Sequence, residues 1–171
     1  MTTHKTAATE PLDEALAAFI ESRLSIQVAS SDARGLATLA RGYGAQVSPD
    51  RCRVRVLLAC SQSDALLRDI EASGRIAVLF NEPESHRSVQ LKGRDAQVEP
   101  ATERDRAALP AYVDTLSRRL QHFQVPEAFS RALLSLADDD LVAVSFSPCE
   151  AYGQTPGPQA GEPLPAGAAR T

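Results

Sequence analysis

The segment Ser85-His86-Arg87-Ser88-Val89-Gln90-Leu91-Lys92-Gly93 gathers the groups best suited to hold an anion. It follows the apolar run Ile76-Ala77-Val78-Leu79-Phe80 and reads as a strand with polar side chains where a plain core strand would carry valines. Strand side chains alternate between faces, so Ser88, Gln90 and Lys92 project to one side and Arg87, Val89 and Leu91 to the other. A hydroxyl, an amide and an ammonium in a row, with His86 and Arg87 at the entrance, suit a phosphorylated, hydrogen-bonding ligand. The same pattern also serves the wetted side of an antiparallel sheet.

Other candidates lie elsewhere. Arg41 stands beside Gly42-Tyr43-Gly44, where the glycines permit a bulge, and could grip a phosphate through its guanidinium fork. Gln154 and Thr155 precede Pro156-Gly157-Pro158. Proline stiffens and glycine frees the backbone, so this segment either drapes over a ligand or a partner subunit or links to a loose tail. Arg51, Arg53 and Arg55 alternate with Cys52, Val54, Val56 and Leu58. They read as a solvated sheet face, or as a seam facing acids of a second subunit. Asp138-Asp139-Asp140 lacks the spaced ligands and glycine of a calcium loop and reads as a polar turn. His4, His86 and His122 have no metal-ligand spacing. Cys52, Cys60 and Cys149 form no C-x-x-C pair, so we expect small, partly buried residues in a reducing cytoplasm.

These residues need elements to position them. Leu12, Leu16, Phe19 and Ile20 have helical spacing, with Asp13 and Glu14 in the first turn. Extended segments are expected over residues 25–29, 36–47 and 51–59, the last with clear alternation. A helix over 63–73 carries Leu66, Leu67 and Ile70 and stops at Gly74. A buried strand over 75–81 leads to the polar strand, with a possible continuation through 94–98. Thr102 and Asp105 begin a helix over 102–123 in capping-box spacing, which Pro110 should kink or restart. A further helix over 126–137 and a strand over 141–146 follow. Hairpin order with inserted helices points to an antiparallel barrel or sandwich with helices at its flanks.

The chain has 171 residues, enough for one domain with a sizeable core. A net charge of −4 and no Trp argue against a nucleic-acid binder. No segment has the apolar length of a membrane span and no signal peptide is evident, so a cytoplasmic protein is expected. The expected organisation is a frayed 1–10, a domain over 11–161, and a flexible Pro/Gly/Ala tail over 162–171.

The element order, with Arg34-Gly35-Leu36-Ala37-Thr38-Leu39-Ala40-Arg41 after the first strand and Asp64-Ala65-Leu66-Leu67-Arg68-Asp69-Ile70 before residues 75–80, resembles the pyridoxamine 5'-phosphate oxidase-like flavin-binding split barrels. Gln90-Leu91-Lys92-Gly93 fills the place of the next barrel strand. The tail, residues 151–161, is similar to that of an uncharacterised bacterial branch of the superfamily. The resemblance implies a mainly β (α+β) fold, a six-stranded antiparallel split β-barrel with flanking helices. It also implies a homodimer with flavin mononucleotide (FMN) at the subunit seam. On that basis Arg41, His86, Arg87, Ser88, Gln90, Lys92, Gln154 and Thr155 are the cofactor-binding candidates. Two departures stand out. The oxidases carry Arg-Lys after a Ser at the start of the helix, whereas Ser63 is followed here by Asp64-Ala65. Where they place Arg-Gln on the next strand, this chain has Arg87-Ser88. Oxidation of pyridoxamine phosphate itself is therefore not expected. The functions left open are a flavin-dependent oxidoreductase of unknown substrate, a non-catalytic flavin or haem binder using His86 or His122, and a dimeric scaffold.

Overall fold

The computed structural model describes residues 10–137 and 139–164. The expected frayed residues 1–9, Asp138 of the aspartate run, and residues 165–171 of the expected tail lie outside the described residues. The chain begins with α1 (Glu14–Glu21) and then forms β1 (Ser25–Ser31), β2 (Ala37–Val47) and β3 (Val54–Ala59). After α2 (Cys60–Ser73) come β4 (Ile76–Asn81), β5 (Ser88–Gly93) and β6 (Gln97–Pro100). Then α3 (Glu103–Gln121), α4 (Glu127–Leu133), β7 (Leu141–Phe146) and β8 (Glu150–Gly153) complete it.

All strand pairs are antiparallel, in the order β6-β7-β3-β2-β1-β4-β5-β8. The architecture is therefore α+β, as expected, but with eight strands rather than six. The two additional strands are the four-residue edges β6 and β8. Each is too short to show alternation, and partners remote in sequence create it. Residues 94–98 do not continue β5. The chain breaks at Arg94-Asp95-Ala96, and β6 pairs with β7 at the opposite edge.

The sheet curls, and its two halves meet around the core. Gly93 on β5 shows this: a Cβ there would lie 2.6 Å from Phe146 Cδ2 on β7, five strands away in the sheet order. Ile26, Val28, Val56, Leu58, Val78, Phe80, Leu91, Val144 and Phe146 fill the interior. The foreseen bulge is present, since the β2–β3 register shifts between Gly42 and Ala45. β3 starts only at Val54, because Arg51 takes a left-handed φ of 58° in a turn.

The helices are held by specific caps. Asp13 Oδ1 accepts from Leu16 N–H at 2.6 Å to start α1. Ala59 offers α2 no side-chain cap. Asp140 supplies it instead, accepting from Ser61 N–H at 2.7 Å and Ser61 Oγ–H at 2.6 Å. Gly74, at φ 65°, ends α2 in the left-handed conformation. The Thr102–Asp105 capping box forms as read. Pro110 neither ends nor restarts α3, which is one 19-residue helix. The proline ring is exposed, so water can serve the carbonyl that loses its partner, and Tyr112 and Leu116 dock beyond it. α4 is shorter than the expected 126–137.

The cysteine expectation fails in part. Cys60 and Cys149 are exposed; Cys52 is half-buried. The arginine stripe fails too, at Arg55. That side chain is 20% exposed and pairs within its own chain with Glu99 and, at 2.9 Å, with Asp105. β6 and the start of α3 bring those acids over β3. Among the described residues no helix is long and apolar enough to cross a membrane.

Candidate functional site

The strongest candidate site is an open face of the sheet. Alternation turns Ile26 and Val28 of β1 inward and leaves Gln27 and Ala29 half-exposed outside. The registers Gln27↔Arg41, Gln27↔Leu79, Leu79↔Gln90 and Gln90↔Tyr152 align one outer row across five strands. The next row is Leu39, Ala29, Ala77, Lys92 and Glu150. The face has an apolar floor of Leu39, Leu79, Ala29 and Ala77, with Arg41, Gln27, Gln90 and Lys92 among and around it. Leu39 is 69% exposed and Leu36, just before β2, is 64% exposed.

The cations on this face differ. Arg41 is exposed and has no hydrogen-bond or ion-pair partner among the described residues. From Arg41 to Gln90 is three strand spacings, roughly 14 Å. Lys92 Nζ lies 3.9 Å from Glu150 and 4.6 Å from the Tyr152 ring centroid. Glu150 also accepts from Tyr152 Oη–H at 2.7 Å and from Arg94 at 3.0 Å. The tyrosine hydroxyl and then the arginine hold its carboxyl below the usual range. Lys92 therefore already faces a charged partner, and Arg41 is the better placed of the two for a ligand phosphate. Gln90 Oε1 lies 3.5 Å from Gln154 Nε2, at the limit of a hydrogen bond.

Odd-numbered residues of the polar segment lead elsewhere. The Arg87 guanidinium stacks 4.2 Å over the Phe19 ring of α1, on the side of the sheet where Val89 packs. Ser88 has the outward parity but is only 6% exposed. Its Oγ–H donates to His86 O at 2.9 Å, and its oxygen accepts from Asn81 Nδ2–H at 2.7 Å. Ser88 N–H donates to Thr155 Oγ1 at 3.0 Å, and Gln154 N–H donates to Ser88 O at 2.8 Å. Thus Ser88, Gln154 and Thr155 largely hold one another.

His86 sits at a left-handed φ of 57° in an exposed loop. Arg119 of α3 clamps that loop through Glu82 at 3.1 Å and Glu84 at 2.8 Å. The Ser85 hydroxyl and then Arg119 hold the Glu82 carboxyl below its ordinary value. The His86 ring is 6.3 Å from Phe123, and His122 meets Phe123 edge-on at 5.3 Å. Asp64 lies on the exposed face of α2, paired with Arg68. Among the described residues no group of His, Cys, Asp and Glu is arranged to hold a metal ion.

Sequence reasoning missed Gln27, Leu39 and Leu79 as parts of the face. The alternation of residues 25–31 carried the signal for Gln27; pairing across β1 was needed to place it beside Arg41.

The architecture matches known structures. HupZ of Group A Streptococcus aligns at a TM-score of 0.51 with 15% identity, over 88% of this chain and 99% of that one. A candidate pyridoxamine 5'-phosphate oxidase from Lactobacillus delbrueckii aligns at 0.51 with 14% identity, over 83% and 93%. This chain has the split-barrel fold of the pyridoxamine 5'-phosphate oxidase-like proteins. HutZ of Vibrio cholerae, a haem storage protein, aligns at 0.46 with 15% identity, over 84% and 94%. No protein-family model and no curated protein matches the sequence. Within this split barrel, the apolar floor and the polar groups around it lie on β2, β1, β4 and β5, four of the six central strands, with the edge strand β8 beside them.

Proposed function

We propose that this protein binds FMN on the open face of its split barrel, as a homodimer, and acts as a flavin-dependent oxidoreductase. The observation that carries the reading is the combination on one face of an unpaired arginine, two amide side chains and an apolar floor. The residues present suit the cofactor. Arg41 would hold the phosphate, Gln27 and Gln90 would hydrogen-bond polar edges of the ring, and Leu79, Ala29 and Ala77 would lie against its flat surface. Lys92 would contribute a second, partly neutralised positive charge. When bound, flavin supplies the two-electron redox chemistry, and the protein supplies binding, orientation and exclusion of water. The exposed Leu36 and Leu39 beside Arg41 support a second subunit covering the face. The fold shared with a candidate oxidase lends further support.

The test is FMN titration followed by absorbance and fluorescence. Saturable binding is expected, and Arg41→Ala should weaken it at least ~10-fold, about 1.4 kcal/mol. The fold should be unaffected, because Arg41 is a surface residue. A wild-type protein that ignores FMN removes the reading.

A haem reading has one specific observation behind it, the two exposed imidazoles that both meet the Phe123 ring. Titration with haemin separates the two. A Soret shift lost in His86→Ala or His122→Ala, without flavin binding, would favour haem.

A further inference from the structure

A groove lies on the other side of β5 from the open face. After β8 the chain turns back on itself. Gly161 N–H donates to Gly153 O at 2.7 Å, Gly153 N–H to Glu162 O at 3.0 Å and Leu164 N–H to Ala151 O at 2.8 Å. Pro163 bridges Tyr152. Residues 153–164 thus form a strap, latched to β5 by the hydrogen bonds of Gln154 and Thr155 to Ser88. Beneath it is a groove of about 560 Å³, with Leu16 of α1 and Val89 of β5 on one wall and Pro156, Pro163 and Leu164 on the other.

Arg87 faces this groove. Its guanidinium is half-buried and one ring-like face is covered by Phe19 at 4.2 Å. Its backbone N–H donates to Ser85 Oγ, but among the described residues no hydrogen bond or ion pair engages its guanidinium N–H groups. The acid that acts on it electrostatically, Glu82, spends its oxygens on Ser85 and Arg119. A partly desolvated guanidinium with no direct ion-pair partner is costly, and its free edge presents parallel N–H donors that match a carboxylate. Glu162 lines the same groove and disfavours a doubly charged ligand more than a singly charged one. The prolines and the latch shape the groove in advance, which lowers the ordering cost of binding.

We propose that the strap groove is a small-ligand site, separate from the open face, that takes monocarboxylates with a compact apolar body through the Arg87 guanidinium. The carboxylate pairs with Arg87, and the apolar body packs between Leu16, Val89 and the strap prolines. Phosphate dianions are rejected by Glu162. This does not depend on flavin binding, because the two sites lie on opposite faces of β5.

Amide chemical shifts of the ¹⁵N-labelled protein, titrated with hexanoate and separately with inorganic phosphate, test the proposal. Hexanoate should give saturable shifts of Val89, Gly153 and Gly157 in the millimolar range or tighter, with Gln27 and Arg41 unmoved. Phosphate should not shift those groove amides. Arg87→Gln should weaken hexanoate binding at least ~10-fold, and Arg87→Lys, which keeps the charge over Phe19, should weaken it less. Glu162→Gln should admit phosphate. Dispersed spectra outside the groove establish that each variant folds. The proposal is overturned if no saturable shift occurs, if Arg87→Gln binds as well as wild type, or if the shifted amides lie on the open face.

Discussion

At the residue scale the Arg55–Asp105 pair is the most consequential contact outside the proposed sites. Asp105 is 1% exposed. Burial alone would raise its carboxyl pKa, but hydrogen bonds from Arg55 and Thr102 outweigh that and hold it below the usual range. Arg55 also reaches Glu99, Ser145 Oγ at 3.2 Å and Pro100 O at 3.0 Å, so one guanidinium joins β3, β6, β7 and α3. Arg55→Ala should therefore destabilise by about 3 kcal/mol, since it strands a buried carboxylate. Urea unfolding at neutral pH measures this. The sign with pH follows from the lowered folded pKa. Asp105 contributes its stabilisation fully above the unfolded carboxyl value near ~3.9, and loses it as pH falls through the lower folded value. Stability of Arg55→Ala should fall less steeply than wild type in that acid window. Equal slopes would mean that Arg55 does not set the Asp105 proton affinity.

At the element scale, two helices depend on partners remote in sequence. α2 begins without a cap of its own and borrows Asp140. Asp140→Ala should cost about 1 kcal/mol, read as a lower urea midpoint. Asp140→Asn, which keeps an acceptor oxygen, should recover most of the loss. α3 is fastened by Tyr112, whose hydroxyl donates to Leu24 O at 2.9 Å with Gly42 O at 3.1 Å. Burial pushes the Tyr112 phenol pKa well above its ordinary value, so the hydroxyl stays protonated and able to donate. Tyr112→Phe keeps the ring but leaves two buried carbonyls short of a donor. It should cost roughly 1–2 kcal/mol, and hydrogen exchange should rise first in α3.

At the scale of the whole molecule, the open face poses the question of a second subunit. A half-exposed apolar floor with Leu39 at its edge is a surface that association would cover. Leu39→Glu should convert a dimer to a monomer in light scattering and reduce FMN affinity with it, while the circular dichroism spectrum stays unchanged. A wild-type protein that is monomeric at micromolar concentration would rule out the two-subunit reading, and FMN titration would still report on Arg41 independently.

Much of this architecture was legible in the chain itself. The period of Ile26/Val28 and Val54/Val56/Leu58 marks strands, Thr102–Asp105 marks a helix start, and Gly74 marks a helix end, because each depends on neighbours a few residues away. The alternation that separates Arg87 from Gln90 and Lys92 is equally local. Cross-strand pairing is not. Only the folded sheet places Gln27 and Leu79 between Arg41 and Gln90, gives Lys92 its glutamate, encloses Arg55 with two acids, and folds the strap over Arg87. Those outcomes depend on contacts made between distant segments as the sheet curls, and no local pattern encodes which strands become neighbours.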